Sequence, residues 1–196
     1  GSKWFSGEKT SNTIVVWNFY DESVERATYY VDGNGMHDSG KKVASYTIQK
    51  DAVKVKFDDE ELLIPYAFAE NKMTLEKGKY FSPQDVDEAI QGYWTLHKSS
   101  YVINHISTFE YNLQFENGVM RCEDACEAWG GAPGEYYYYG PYEGKYTIGD
   151  GKFETDAFNG NEYFFNVYDG QVNVFHYGNK MERGDGLPGQ DGYVFD

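Results

Sequence analysis

Sulfur is scarce in this chain, which has two cysteines, Cys122 and Cys126, among 196 residues. That excludes a densely disulfide-stapled scaffold and a cysteine-rich zinc module. Basic residues are also few, at 17 Lys+Arg against 32 Asp+Glu, for a formal net charge of −15. Phosphate backbones repel such a chain, so no nucleic acid is expected as a partner, and an anionic membrane surface is disfavoured. No apolar run approaches the ~20 residues of a membrane helix, so no transmembrane segment is expected. No signal peptide is visible, but Gly1-Ser2 reads as a vector remnant, and the missing leader excludes nothing. The four histidines are His37, His97, His105 and His176. No two have the spacing of a zinc helix and none sits in a triad pattern, so no metal, cofactor or catalytic residue is assigned.

What the chain has is aromatic side chains and glycine. Aromatics make up 18% of it, led by 19 Tyr, and there are 22 Gly. Tyr, Phe and Trp suit a pleated, half-buried surface, and glycine suits many short turns. The distribution is uneven. Residues 1–91 hold 11 basic and 16 acidic residues with 13 aromatics. Residues 92–196 hold 6 basic and 16 acidic residues with 23 aromatics. The later part is both more acidic and more aromatic.

Strand signals dominate. Thr13-Ile14-Val15-Val16-Trp17-Asn18-Phe19 is β-branched and aromatic, and Ala52-Val53-Lys54-Val55-Lys56-Phe57 alternates with period two. Such alternation means one buried face and one solvated face. Asp32-Gly33-Asn34-Gly35 is a tight-turn signal, preferred here over a calcium loop, because Met36 and His37 occupy positions a calcium loop would give to a ligand and a glycine. Pro65, within a strand-like run, suggests an edge or a bulge. Asp58-Asp59-Glu60-Glu61 reads as a solvated hairpin tip. One stretch breaks the pattern. Ser82 is a good helix N-cap, Pro83 fits the first helical position, Asp85 fits a capping box, and Gly92 ends the run. A short helical connector is expected over 82–91.

The chain also repeats itself. Lys3-Trp4-Phe5 corresponds to Tyr93-Trp94-Thr95, and Ser45-Tyr46-Thr47-Ile48 to Lys145-Tyr146-Thr147-Ile148. Asn71-Lys72-Met73-Thr74-Leu75 corresponds to Gly170-Gln171-Val172-Asn173-Val174. The order is kept, and the main difference is an insertion in the second copy from Cys122 to about Gly134. Repeats of this kind mark stacked or tandem units.

Trp4, Asp32-Gly33, Tyr46-Thr47-Ile48 and residues 71–75 together resemble the pattern of small bacterial lipocalin-like (calycin-type) domains. Gly92-Tyr93-Trp94 is similar to the lipocalin Gly-x-Trp opening, and Tyr146-Thr147-Ile148 and residues 172–174 follow it. The resemblance implies an all-β fold of two tandem lipocalin-like antiparallel β-barrel units, 3–81 and 92–196, joined by the short helix. Both copies sharing one larger, flattened barrel or sandwich is the alternative. The resemblance implies no particular ligand, since such folds host unrelated functions.

Cys122 and Cys126 are expected in a loop. A lone close pair favours a local disulfide, hence an oxidising, extracytoplasmic compartment, secreted or cell-surface anchored. Two reduced surface thiols are the other reading. The inserted segment carries Trp129 and runs into Tyr136, Tyr137, Tyr138 and Tyr139, with Tyr142 beyond. Aromatic faces beside acids suit a small molecule, a glycan or a protein segment, and these six residues are the candidate binding surface. Equally, alternate tyrosines of a long hairpin pack inward while the others lie on the surface. The leading expectation is a non-enzymatic binding or interaction module. An enzyme with a barrel-mouth site and a purely structural surface module remain open.

Overall fold

The computed structural model describes residues 1–7, 11–69, 72–102, 105–127, 136–156 and 161–189. The first part comprises β1 (Ser2–Ser6), β2 (Thr13–Phe19), β3 (Ser23–Asp32), β4 (Gly35–Ile48), β5 (Ala52–Lys56), β6 (Glu61–Ala69), β7 (Lys72–Leu75) and β8 (Tyr80–Phe81). After α1 (Pro83–Ile90) come β9 (Gly92–Val102), β10 (His105–Glu116), β11 (Val119–Glu127), β12 (Tyr136–Ile148) and β13 (Phe153–Thr155). The chain continues through β14 (Tyr163–Tyr168), β15 (Gln171–His176), β16 (Asn179–Lys180) and β17 (Glu182–Arg183). The fold is all-β with one short helix among the described residues.

The first eight strands form one antiparallel sheet in the order β7-β6-β5-β4-β3-β2-β1-β8. It curls until it nearly closes, because the chain passes from β7 to β8 through one turn in which the Tyr80 amide donates to the Glu76 carbonyl at 3.1 Å. Local chemistry sets the hairpins. At the β3–β4 turn the Asp32 carboxylate accepts from the Asn34 amide at 2.7 Å, an Asx turn in place of a calcium loop. Pro65 is not at an edge. It stands where β6 leaves its ladder with β5 and takes up the one with β7, a place where one missing N–H is tolerated. The acidic tip is ion-paired rather than simply solvated. Asp59 meets Lys42 at 2.8 Å, Glu60 meets Arg26 at 3.2 Å and Glu61 meets Lys54 at 2.8 Å.

Alternation sorts the side chains. Val15, Trp17 and Phe19 of β2 point into the curl with Trp4, Val24, Val53, Val55, Phe57, Ile64 and Leu75, and fill it. Ile14 and Val16, on the opposite face of β2, are just as buried. Both faces of β2 are therefore covered, one by its own sheet and one by the later part of the chain. Each such aliphatic side chain contributes roughly 1.5–3 kcal/mol on burial.

In the later part, β13-β12-β11-β10-β9-β17 form one sheet and β14-β15-β16 another. Two junctions join them. Lys152 bridges Phe164, and the Phe165 amide donates to the Gly151 carbonyl at 2.9 Å. At the other side the chain steps from β16, paired with β15, through Met181 to β17, paired with β9. The backbone pairings thus run in a circuit, in the same sequential order as those of the first part.

The largest core is shared by both parts. Phe5, Ile14 and Val16 pack in one cluster with Val86 and Ile90 of α1 and with Trp94, Phe153, Phe165 and Val174. Phe5 meets Phe165 edge-on with ring centroids 4.9 Å apart, and Asn166 Nδ2 donates to the Ser11 carbonyl at 2.6 Å. Gly151, at φ +94, sits against Ile14, and a Cβ there would lie 2.5 Å from Ile14 Cγ2.

The helix follows its sequence signals. Ser82 Oγ accepts from the Asp85 amide at 3.2 Å, Asp85 Oδ2 accepts from the Ser82 amide at 2.8 Å, and Pro83 opens the helix. Its C-terminal carbonyls are held from the second part. Trp94 Nε1 donates to the Ile90 carbonyl at 2.7 Å. The Arg183 guanidinium lies 3.9 Å over the Trp94 ring and bonds to the Ala89 and Gln91 carbonyls. That places a cation where the helix dipole is negative.

The expected disulfide is corrected. Cys122 and Cys126 both lie in β11 rather than in a loop, and both are free thiols. Four residues of extended chain separate their Cα atoms by about 13 Å, beyond the ~7 Å limit for a bridge. The strand is paired on both sides, to β10 and, with a bulge at Glu123, to β12, and a bridge would break both ladders. Burial pushes the Cys122 thiol up to about 12, so it is not a poised nucleophile.

Candidate functional site

One end of the second circuit gathers the unusual side chains. Across antiparallel strands, directly opposed residues share a face. On β10 and β11, Phe109 opposes Cys126 and Tyr111 opposes Asp124. On β11 and β12, Asp124 opposes Tyr139 and Cys126 opposes Tyr137. The register alone therefore sets these six side chains on one face. It shifts between Cys122 and Asp124, which oppose Tyr142 and Tyr139. The extra residue on β12 keeps Tyr142 on the face of Tyr139. Gly140 makes this possible, at φ +112 and with room for no Cβ, which would lie 2.7 Å from the Cys122 carbonyl oxygen.

Phe109, Tyr111, Asp124, Cys126 and Tyr139, with Ala125 and Asn161, line an open cleft of about 220 Å³. Asp124 is its charged group and is only 6% exposed. It accepts from Asn161 Nδ2 at 2.7 Å and from the Tyr163 hydroxyl at 3.5 Å. Burial pushes the Tyr111 hydroxyl and the Cys122 and Cys126 thiols up, and the Asp124 charge adds to the rise in all three. The cleft is thus a region of negative potential.

Beneath the Tyr111 wall lies His176. The two rings stack with centroids 3.9 Å apart, and Tyr177 and Tyr163 close in at 4.9 and 5.4 Å. His176 is 5% exposed, and neither ring nitrogen has a hydrogen-bond partner among the described residues. Burial first, then the positive charge of Lys98, lowers its pKa to about 4. The imidazole is neutral at pH 7.

The six residues singled out from sequence do not act as one group. Tyr137 and Tyr139 are 53% and 47% exposed, and Tyr142 is exposed beside them. Tyr138 points to the other face, where burial and a hydrogen bond with Glu123 push its hydroxyl up. Tyr136 pairs with Glu127 through the backbone. Trp129 lies outside the described residues. Two other histidines are elsewhere. His37 Nε2 meets the Asp32 carboxylate at 2.9 Å on an exposed turn, and His97 meets Glu110 at 3.4 Å on the outer face of the second sheet. Sequence reasoning passed over Phe109, Tyr111, Asp124, Asn161 and His176 as site residues. For Phe109 and Tyr111 the only signal was alternation in β10, which says that they share a face but not with whom; Asn161 and His176 carried none.

A second cleft, of about 340 Å³, lies where the two parts meet, around Trp17, Arg26, Tyr80 and Gly170. Its cation is already engaged, since Arg26 stacks 4.8 Å over Phe57 and pairs with Glu60. The chain matches no family model, no curated protein and no solved structure.

Proposed function

We propose that the protein is a binding protein of two lipocalin-like units, and that the open end of the second unit takes a small ligand. The cleft between Phe109, Tyr111 and Tyr139 with Asp124 at its base is the observation that carries this reading. Apolar walls with a few convergent polar groups are the usual make-up of a ligand site. Both sets of pairings follow one order, from an opening strand with a buried Trp (Trp4 or Trp94) to a short last strand that returns to it. This supports two units of one kind. Their interiors are packed with side chains, which favours a ligand at the mouth over one deep in a barrel.

The test is a screen of single-ring aromatic fragments followed by amide NMR spectra. Fragments that bind should shift the amides of Tyr111, Asp124, Cys126 and Tyr139 together. Tyr139→Ala should weaken binding roughly tenfold without changing the unfolding midpoint, because the side chain is half exposed. Shifts confined to another surface, or none with any fragment, would refute the site.

A further inference from the structure

Resting on that reading, we propose that the cleft selects organic cations, with an ammonium group seated against Asp124 and its apolar body held between Phe109, Tyr111 and Tyr139. Four features of the site bear on this class.

The first is the wall. Three aromatic rings lie on one strand face with a carboxylate between them. Aromatic faces carry negative potential and attract a desolvated cation, and a carboxylate within reach of the same point adds to this. A neutral ligand uses the walls only. An anion is opposed by both walls and carboxylate.

The second is the field. The Asp124 charge reaches Tyr111, Cys122 and Cys126 and makes each harder to ionise. The same field favours a positive occupant. Residues 92–196 carry a net charge of −10, with 6 basic against 16 acidic residues, so long-range attraction acts in the same direction. Lys98 on β9 stands directly opposite Phe109, on the same face, and its charge opposes this attraction and also acts on His176, so the ammonium is favoured at the Asp124 side of the cleft, away from β9.

The third is His176. An imidazole 5% exposed without a hydrogen-bond partner among the described residues is rare in native interiors. It stacks on the cleft wall through Tyr111. Being neutral, it adds no positive charge beneath the cation. A charged lysine or arginine in its place would.

The fourth is size. About 220 Å³ is below the ~300–1,000 Å³ of sites for drug-sized ligands. It admits one ring with a short amine, or the end of a lysine or arginine side chain.

The experiment compares three probes of one shape by calorimetry or NMR titration: phenethylammonium, 2-phenylethanol and 3-phenylpropionate. The cation should bind at least about tenfold tighter than the alcohol, and the anion should not bind. Asp124→Asn should bring cation and alcohol to equal affinity. Because that variant alters a buried group, the wild-type protein provides a second readout. Raising the salt concentration should weaken the cation and leave the alcohol unchanged. Capped lysine and capped arginine complete the set. Tighter binding of either than of phenethylammonium places the ammonium source in a polypeptide rather than a free amine. Equal binding of alcohol and cation at the cleft overturns the cation selectivity and leaves the binding site standing. No binding of any probe at the cleft overturns both.

Discussion

At the residue scale, His176 gives the fold a pH dependence that falls in an accessible range. Its pKa is lowered from the ordinary 6.5 to about 4 by burial. The unfolded chain takes up that proton below 6.5, and the folded chain only near 4. Between those values the unfolded state binds more protons, so stability falls as pH falls through the window. The full contribution, present above pH 6.5, is about 3 kcal/mol. His176→Leu removes this linkage. Denaturant unfolding at pH 7 and pH 4.5 should show a drop in wild type that is smaller by about 2–3 kcal/mol in the variant. An equal drop in both would place a hydrogen-bonded, solvated imidazole at this position. Nothing around His176 in sequence foretold its burial. The residue follows Val172, Val174 and Phe175 in an ordinary strand run, and a strand can present such a position to water or to a core. The partners that bury it, Tyr111 and Tyr163, come from other strands.

At the element scale, what is local was legible and what depends on register was not. The capping box of α1, the Asx turn at Asp32 and the inward valines of β5 follow from residues within a few positions of one another. The cysteine pair shows the limit of that reasoning. Closeness in sequence means closeness in space only if the chain turns back, and β11 instead runs straight between two partner strands. The turn glycines 149 and 151 were legible as a turn, but the reason for Gly151 lies in β2. Gly118 and Gly151 make a controlled pair, since both have positive φ but only Gly151 is crowded, by Ile14. Gly118→Ala should cost about 1 kcal/mol of backbone strain. Gly151→Ala adds overpacking and should cost about 3 kcal/mol or more. Equal unfolding midpoints for the two variants would mean that Ile14 moves aside freely.

At the scale of the whole molecule, the shared core decides behaviour. Phe5, Ile14 and Val16 complete a cluster most of whose members come from α1 onward. Neither part buries all of its apolar surface without the other. Heat or denaturant unfolding followed by far-ultraviolet dichroism and by tryptophan fluorescence should therefore give one coincident transition. Trp4 and Trp17 report on the first part and Trp94 on the second. Two separated transitions would show that the cluster contributes little. The repeat read in the sequence carries no information on whether the two parts share a core. Of the residues that join them, Gly151 lies in a turn outside the matching motifs, while Asn166 lies within one, the run Tyr163–Tyr168 that matches Leu62–Phe68.

The sequence by itself determined the all-β class, the helix between the two parts, and the concentration of aromatic and acidic residues in the second. These follow from alternation, caps and composition, which act over a few residues or over the whole chain. Only the tertiary structure decided that the cysteines stay apart, that His176 is buried without a partner, and that Phe109, Tyr111, Asp124 and Tyr139 meet in one cleft. Each of these depends on which strand lies beside which and in what register. Strand pairing is set by the global balance of buried surface, and a shift of one residue would turn each of those side chains to the opposite face.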